Sequence, residues 1–309
     1  MKIYHEISSL PIDTISDTMI QDIFDVKRKI GYPLEPTALN NIVGGIRLRS
    51  LIIVGAETGM GKSYISINIM HSLAKQGVGV CYIDMENGTE DLIDKIHTRW
   101  YGGIKNIDTF KKEVSEIVNV KYYSPTIIDE TTRISKKRRL DTILEIIKKE
   151  AQGQLTQVFI IDPLQAISAE LDNSKQLNEQ AEIIKQLKDL AQKLNICIII
   201  NHHLKKSQGY RNFSKGGDEE EKEHYRIPTI EDLKGASAIS DYATDVWLFY
   251  RQAMSINVKE RGNIYFASRK SRAGFVGKCK LRIDKDTMVL TDFINPITDF
   301  LYGHTNNWN

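Results

Sequence analysis

The residues Ala56-Glu57-Thr58-Gly59-Met60-Gly61-Lys62-Ser63 stand directly after the apolar run Leu51–Gly55 and directly before a helical pattern over Tyr64–Gln76. That order reads as a phosphate-binding loop. Glycines let the backbone wrap so that its N–H groups and the helix N-terminus face a triphosphate; Lys62 reaches the outer phosphates, and the Ser63 hydroxyl is offered to Mg²⁺. Ala56 stands where the pattern usually has glycine, but the strand and helix context is right. A magnesium nucleotide also needs a carboxylate at the end of a neighbouring strand, and Val158-Phe159-Ile160-Ile161-Asp162 supplies one. Pro163 follows it, so a water-activating base must come from elsewhere. The run Tyr82-Ile83-Asp84-Met85-Glu86 ends the strand after the loop's helix and offers Glu86 as that base. Asp84 is expected on the opposite face, with a structural role. The strand Ile196–Ile200 leads into Asn201-His202-His203-Leu204-Lys205-Lys206. Adjacent histidines on a strand point apart and no third ligand is spaced to join them, so zinc is not expected. A polar residue at this tip is placed to hydrogen-bond a terminal phosphate.

The elements that must position these groups alternate. Leu51–Gly55, Val78–Ile83, Val118–Tyr123, Val158–Ile161 and Ile196–Asn201 read as strands; Tyr64–Gln76, Glu90–Trp100, Leu140–Ala151 and Leu177–Leu194 read as the intervening helices. Such alternation predicts an α/β fold, a mainly parallel twisted sheet flanked by helices on both faces. After Asp241 the pattern changes to Val246–Arg251, Asn263–Ser268, Cys279–Asp284 and Met288–Phe293, which predicts a C-terminal antiparallel hairpin extension. Before the loop, Ile15, Met19, Ile23, Val26 and Ile30 form one apolar stripe of a helix over Thr14–Ile30, stopped by Gly31, Pro33 and Pro36. The polar stretch Leu204–Ile230, with its acidic run Asp218–Glu221, reads as a long loop. The expected organisation is an N-terminal arm over residues 1–40, one ATPase domain over 41–294 and a tail over 295–309.

Composition bounds the function. The 309 residues are 41% hydrophobic and 27% charged, with a formal net charge of +2, which excludes a disordered, fibrous or membrane-spanning chain. No apolar stretch approaches the roughly 18–20 residues of a bilayer-spanning helix. Residues 1–10 do not read as a secretory signal, so a cytoplasmic location is expected. Cys81, Cys197 and Cys279 each lie in apolar or strand-like runs and are expected as buried thiols. Near-zero net charge argues against a chain coated in basic residues, so any polyanion site must be local. The most basic local run, Ser135–Arg139, reads as a solvated face.

The ordered set of motifs resembles the RecA-like hexameric replicative helicases, the DnaB family, and in its details the phage helicase-primase and Twinkle branch. The resemblance spans Thr37 to Phe293. It rests on the phosphate loop, Tyr82–Glu86, Asp162, His203-Leu204-Lys205, Asp232-Leu233-Lys234-Gly235-Ala236-Ser237-Ala238-Ile239, and Lys270-Ser271-Arg272-Ala273-Gly274-Phe275-Val276-Gly277. The resemblance implies a RecA-like P-loop core that binds ATP and Mg²⁺ and assembles as a homohexamer with nucleotide between adjacent subunits. Residues 56–63 would bind nucleotide, Ser63 and Asp162 the metal, and Glu86 would be the base. Arg272 would reach across as an arginine finger with Lys270 beside it, Arg269 being the finger if the register shifts. His203 would sense the terminal phosphate, while Lys205, Lys206, Lys234 and Gly235 would grip single-stranded DNA in the ring's centre. The Thr14–Ile30 helix fits the family's linker helix, which docks on the adjacent subunit. The arm over residues 1–40 is too short for the primase or helical collar that relatives carry, so a separate primase or loader is the expected partner. Two other functions remain open at this level: a RecA- or RadA-type recombination ATPase forming filaments, and a nucleotide-switched scaffold or helicase loader.

Overall fold

The computed structural model describes residues 31–88, 90–91, 93–96, 119–123, 139–167, 173–205, 211–214, 222–225, 227–233, 235, 239, 241–253, 255, 257–284 and 286–293. The expected Thr14–Ile30 helix, Lys206, Lys234, the Asp218–Glu221 run and residues 295–309 lie outside them.

Apolar, β-branched runs form the strands because both faces of a parallel sheet are covered. In chain order the strands are β1 (Leu51–Ala56), β2 (Val80–Asp84), β3 (Val120–Tyr123), β4 (Val158–Asp162), β5 (Cys197–His203), β6 (Arg211–Ser214), β7 (Lys222–Tyr225), β8 (Asp245–Arg251), β9 (Asn263–Ser271), β10 (Gly277–Ile283) and β11 (Leu290–Asp292). The helices that carry the packing are α1 (Thr37–Val43), α2 (Lys62–Ala74), α3 (Arg139–Glu150) and α4 (Asn173–Leu194). A nine-stranded sheet runs in the order β11-β10-β9-β8-β1-β5-β4-β2-β3. From β8 to β3 every neighbouring pair is parallel, and β9, β10 and β11 extend it antiparallel. The α/β class and the antiparallel extension are as the sequence predicts.

Alternating side chains divide the core in two. One face carries Ile52, Val54, Val80, Tyr82, Val158, Ile160, Cys197 and Ile199 and is covered by α1 and α2 through Leu39, Val43, Ile65, Ile69 and Leu73. The other carries Ile53, Ile83, Phe159, Ile161, Ile198 and Ile200 and is covered by α3 and α4 through Ile143, Ile147, Ile183, Ile184 and Leu187. Cys81, Cys197 and Cys279 are buried free thiols, as expected.

Two expectations change. The boundary between residues 40 and 41 falls inside α1, whose Ala38, Leu39 and Val43 are buried, and the bridge of Tyr32 to Ile46 brings the folded body back to Gly31. The stretch Leu204–Ile230 is not loop throughout: β6 and β7 pair as an antiparallel ribbon. No helix of the described residues is long and apolar enough to cross a membrane.

Candidate functional site

Because β1, β2, β4, β5 and β8 run parallel, their C-terminal ends meet at one edge of the sheet, which is where crossover folds bind ligands. The residues after β1 form the phosphate loop. Gly59 (φ 81°) and Gly61 (φ 95°) take the left-handed backbone that side-chain-bearing residues avoid, and Gly61 caps α2. A Cβ on Gly59 would meet nothing within 4 Å, so this glycine serves the turn and leaves the loop's concave side open. Lys62, 7% exposed, folds back over the loop and donates to the carbonyls of Ala56 and Glu57, each at 3.0 Å. Burial pulls its ammonium down to about 8, against the opposing pull of Asp162, Glu86 and Glu57. A cation held among open backbone donors fits a polyphosphate.

Asp162 and Asp84 lie in register on β4 and β2. Their carboxyls therefore share the α2 face. The expectation that alternation turns Asp84 away is corrected by that register, since residues two apart on a strand share a face. Its structural role holds: Asp84 Oδ1 accepts from the backbone N–H groups of Glu86 (2.9 Å) and Asn87 (2.8 Å), which forms the turn that presents Glu86. Burial raises the Glu86 carboxyl above the usual glutamate range; Asp162 and Asp84 raise it further, and Lys62 and Lys95 oppose them. A carboxylate tuned upward beside the phosphate loop is suited to accepting a proton.

The buried Tyr82 Oη donates to Asp162 Oδ2 at 2.7 Å. Ser63, in the first turn of α2, and Asp162, at the end of β4, are both oxygen donors at this edge, the donor chemistry Mg²⁺ prefers. On β5, Asn201 faces α2, where Ser66 Oγ donates to its Oδ1 at 2.8 Å, and His203 pairs in register with Ala56 beside the loop. His202 faces the other way and is fully buried, its ring 3.1 Å from Gln165 Nε2, so the two histidines point apart as expected. Among the described residues no cluster of His, Cys, Asp or Glu could hold a metal ion by itself. Lys205, exposed, donates to the Glu231 carbonyl at 2.9 Å, while its backbone and that of Leu204 join Asp232 and Leu233. Gly235 adopts φ 71°.

The basic hairpin lies elsewhere. Arg272 N donates to Thr244 O (3.0 Å), and Thr244 N to Leu51 O (2.8 Å), so Arg272 sits level with the first residue of β1. At about 3.3 Å per residue, Leu51 is about 16 Å from Ala56, beyond the span of an arginine side chain. Arg272 is exposed and donates to Asp241 O at 2.9 Å. Lys270, whose ammonium is lowered by burial and then by Arg272, lies beside it. Arg269 is the extra residue of a bulge, because Val246 pairs with Lys270 and Trp247 with Ser268. It donates to Pro228 O at 2.8 Å and Ile227 O at 3.3 Å.

Two side chains at the site escaped the sequence reading. Tyr82 is one. The other is Arg251, the last residue of β8, whose guanidinium lies 3.9 Å from where a Cβ on Gly61 would stand and whose charge is felt by Tyr64. Each stands in a strand whose C-terminal end reaches the loop edge, but only the strand register brings it to the loop.

The sequence pattern of the DnaB-like helicase C terminal domain matches residues 31–292. The replicative DNA helicase DnaB of Helicobacter pylori (strain J99) is 25% identical over 231 residues, 72% of this chain and 44% of that protein. The chain spans about half the length of the H. pylori DnaB proteins it matches. Among solved structures, an ATPase domain superposes with a TM-score of 0.69 at 18% identity, covering 92% of this chain and 99% of that one. A DnaB-like replicative helicase, described with its interactions with primase, also gives 0.69 at 16% identity, covering 95% and 71%. Both share this fold.

Proposed function

Because the chain belongs to the DnaB-like helicase C-terminal domain family, we propose that it is the motor of a hexameric replicative DNA helicase, hydrolysing ATP to move along single-stranded DNA. The observation that carries this reading is the separation of the two halves of the chemistry. Lys62, Ser63, Glu86 and Asp162 gather at one edge of the sheet, and Lys270 and Arg272 stand at the other. A cation that cannot reach its own phosphate loop acts on the loop of a neighbouring copy, and hydrolysis then depends on assembly.

In the proposed reaction the backbone N–H groups of the loop and α2's first turn, with Lys62, hold the outer phosphates. Ser63 and Asp162 would hold Mg²⁺, which when bound neutralises and aligns the phosphate oxygens. Glu86 takes a proton from the attacking water, held in place by the Asp84 turn. His203 hydrogen-bonds the terminal phosphate from the strand that continues into Lys205, so phosphate release is felt where DNA would be gripped. The neighbour's Arg272 stabilises charge on the transferred group, with Lys270 beside it. Arg251 approaches the nucleotide from β8. DNA contacts are proposed for Lys205, Lys206, Lys234 and Gly235, and a separate primase is the proposed partner, as one structural relative is described with one.

ATPase rates with and without single-stranded DNA, combined with negative-stain images, test the reading. Closed six-membered rings and DNA-stimulated turnover are expected; filaments, or turnover indifferent to DNA, would overturn it.

A further inference from the structure

We propose that Tyr82 is a positioning residue for magnesium, its hydroxyl fixing one oxygen of the Asp162 carboxylate so that the other is presented to the cation. This deepens the proposed nucleotide site and rests on the reading of Ser63 and Asp162 as its metal residues. Tyr82 is 0% exposed, its ring packed in the core beneath α2, and Asp162 is 4% exposed. No water competes for the phenol.

The direction of the bond follows from donor chemistry. A carboxylate only accepts, so at 2.7 Å Tyr82 must donate to Asp162 Oδ2. The phenol's one proton is spent on that oxygen, and Asp162 keeps Oδ1 for a metal-bound water or the metal itself. A buried hydrogen bond of this kind also holds a rotamer, and groups behind a metal's ligands govern its affinity. Sequence separation hides the arrangement: Tyr82 and Asp162 are 80 residues apart and meet only through the β2–β4 register.

Tyr82→Phe in the full chain removes the hydroxyl and keeps the ring. Binding of N-methylanthraniloyl-ADP is measured in EDTA and across a magnesium titration, with thermal melting as the check on folding. The variant is expected to bind nucleotide in EDTA within about twofold of the parent, while the magnesium concentration for half-maximal tightening rises at least about fivefold. An unchanged magnesium midpoint, or an equal loss with and without magnesium, overturns the proposal, the second because it marks a general distortion of the loop. Tyr82→Met, which also fills the buried volume without a hydroxyl, is read the same way and serves should the phenylalanine variant not fold. If the parent chain shows no tightening by magnesium, the assignment of Ser63 and Asp162 falls first, and Tyr82's role with it.

Discussion

Lys62 carries a charge that its burial weakens. Burial brings its ammonium down to about 8 although Asp162, Glu86 and Glu57 all favour the charged form. A bound triphosphate would favour that form far more strongly. The sign follows: below about pH 8 the lysine is already protonated and nucleotide affinity is flat, whereas above it binding must take up a proton and affinity falls, by up to tenfold per pH unit. Calorimetric titration at pH 9 in buffers of different ionisation enthalpy should show proton uptake approaching one per site, and near none at pH 7. Uptake that does not change between the two would separate Lys62 from phosphate binding. The same residue explains what was legible in the sequence. Lys62 and Ser63 were readable because phosphate recognition demands them at fixed local spacing behind two glycines. Tyr82 and Arg251 were not, because their nearness to the loop is created by strand register. Asp84 was legible in role but not in direction, since its placement is set by pairing with Asp162.

At the scale of elements, the hairpin of β9 and β10 shows how one inserted residue sorts three cations. Period-two patterning predicted the hairpin, but no pattern of residue types marks a bulge, so the sequence favoured Arg272 as the finger and left Arg269 as the choice of a shifted register. The bulge at Arg269 points its guanidinium to the carbonyls of Ile227 and Pro228, while Arg272 stands exposed beyond the end of β9. Arg269 is thus held by two carbonyls of the segment that leads to Lys205's partner Glu231, whereas Arg272 is held by the single carbonyl of Asp241 and is the proposed finger. Arg269→Ala should lower stability by only about 1 kcal/mol, because the side chain is exposed, and should leave substantial ATPase. Arg272→Ala should lower turnover by about 10³ or more with the melting temperature nearly unchanged. Melting curves and steady-state rates on both variants check the assignment, and the opposite ranking of rates would transfer the finger to Arg269.

For the whole molecule, the distance between the two ends of β1 would, with Arg272 acting on a neighbouring copy as proposed, make activity a property of the assembly. A net charge of +2 supplies no broad basic surface, so in the proposed ring both DNA grip and phosphate chemistry would come from repeating a few cations from copy to copy. If Glu86 acts on its own copy's nucleotide and Arg272 on the neighbour's, the two functions can be broken in different chains and restored by mixing. Glu86→Gln alone and Arg272→Ala alone should each be nearly inactive. In rings co-assembled from equal amounts, a site is complete when an Arg272→Ala chain, which keeps Glu86, lies against a Glu86→Gln chain, which keeps Arg272. Random mixing places that order at about a quarter of interfaces, so ATPase activity should return to about a quarter of the parent value. Refolding or co-expressing the two variants and measuring hydrolysis at matched chain concentration reads this directly. Activity that stays at the level of the separate variants would mean that Arg272 serves its own copy, and the separation of the two sheet edges would then have to close by a rearrangement of β9 rather than by assembly.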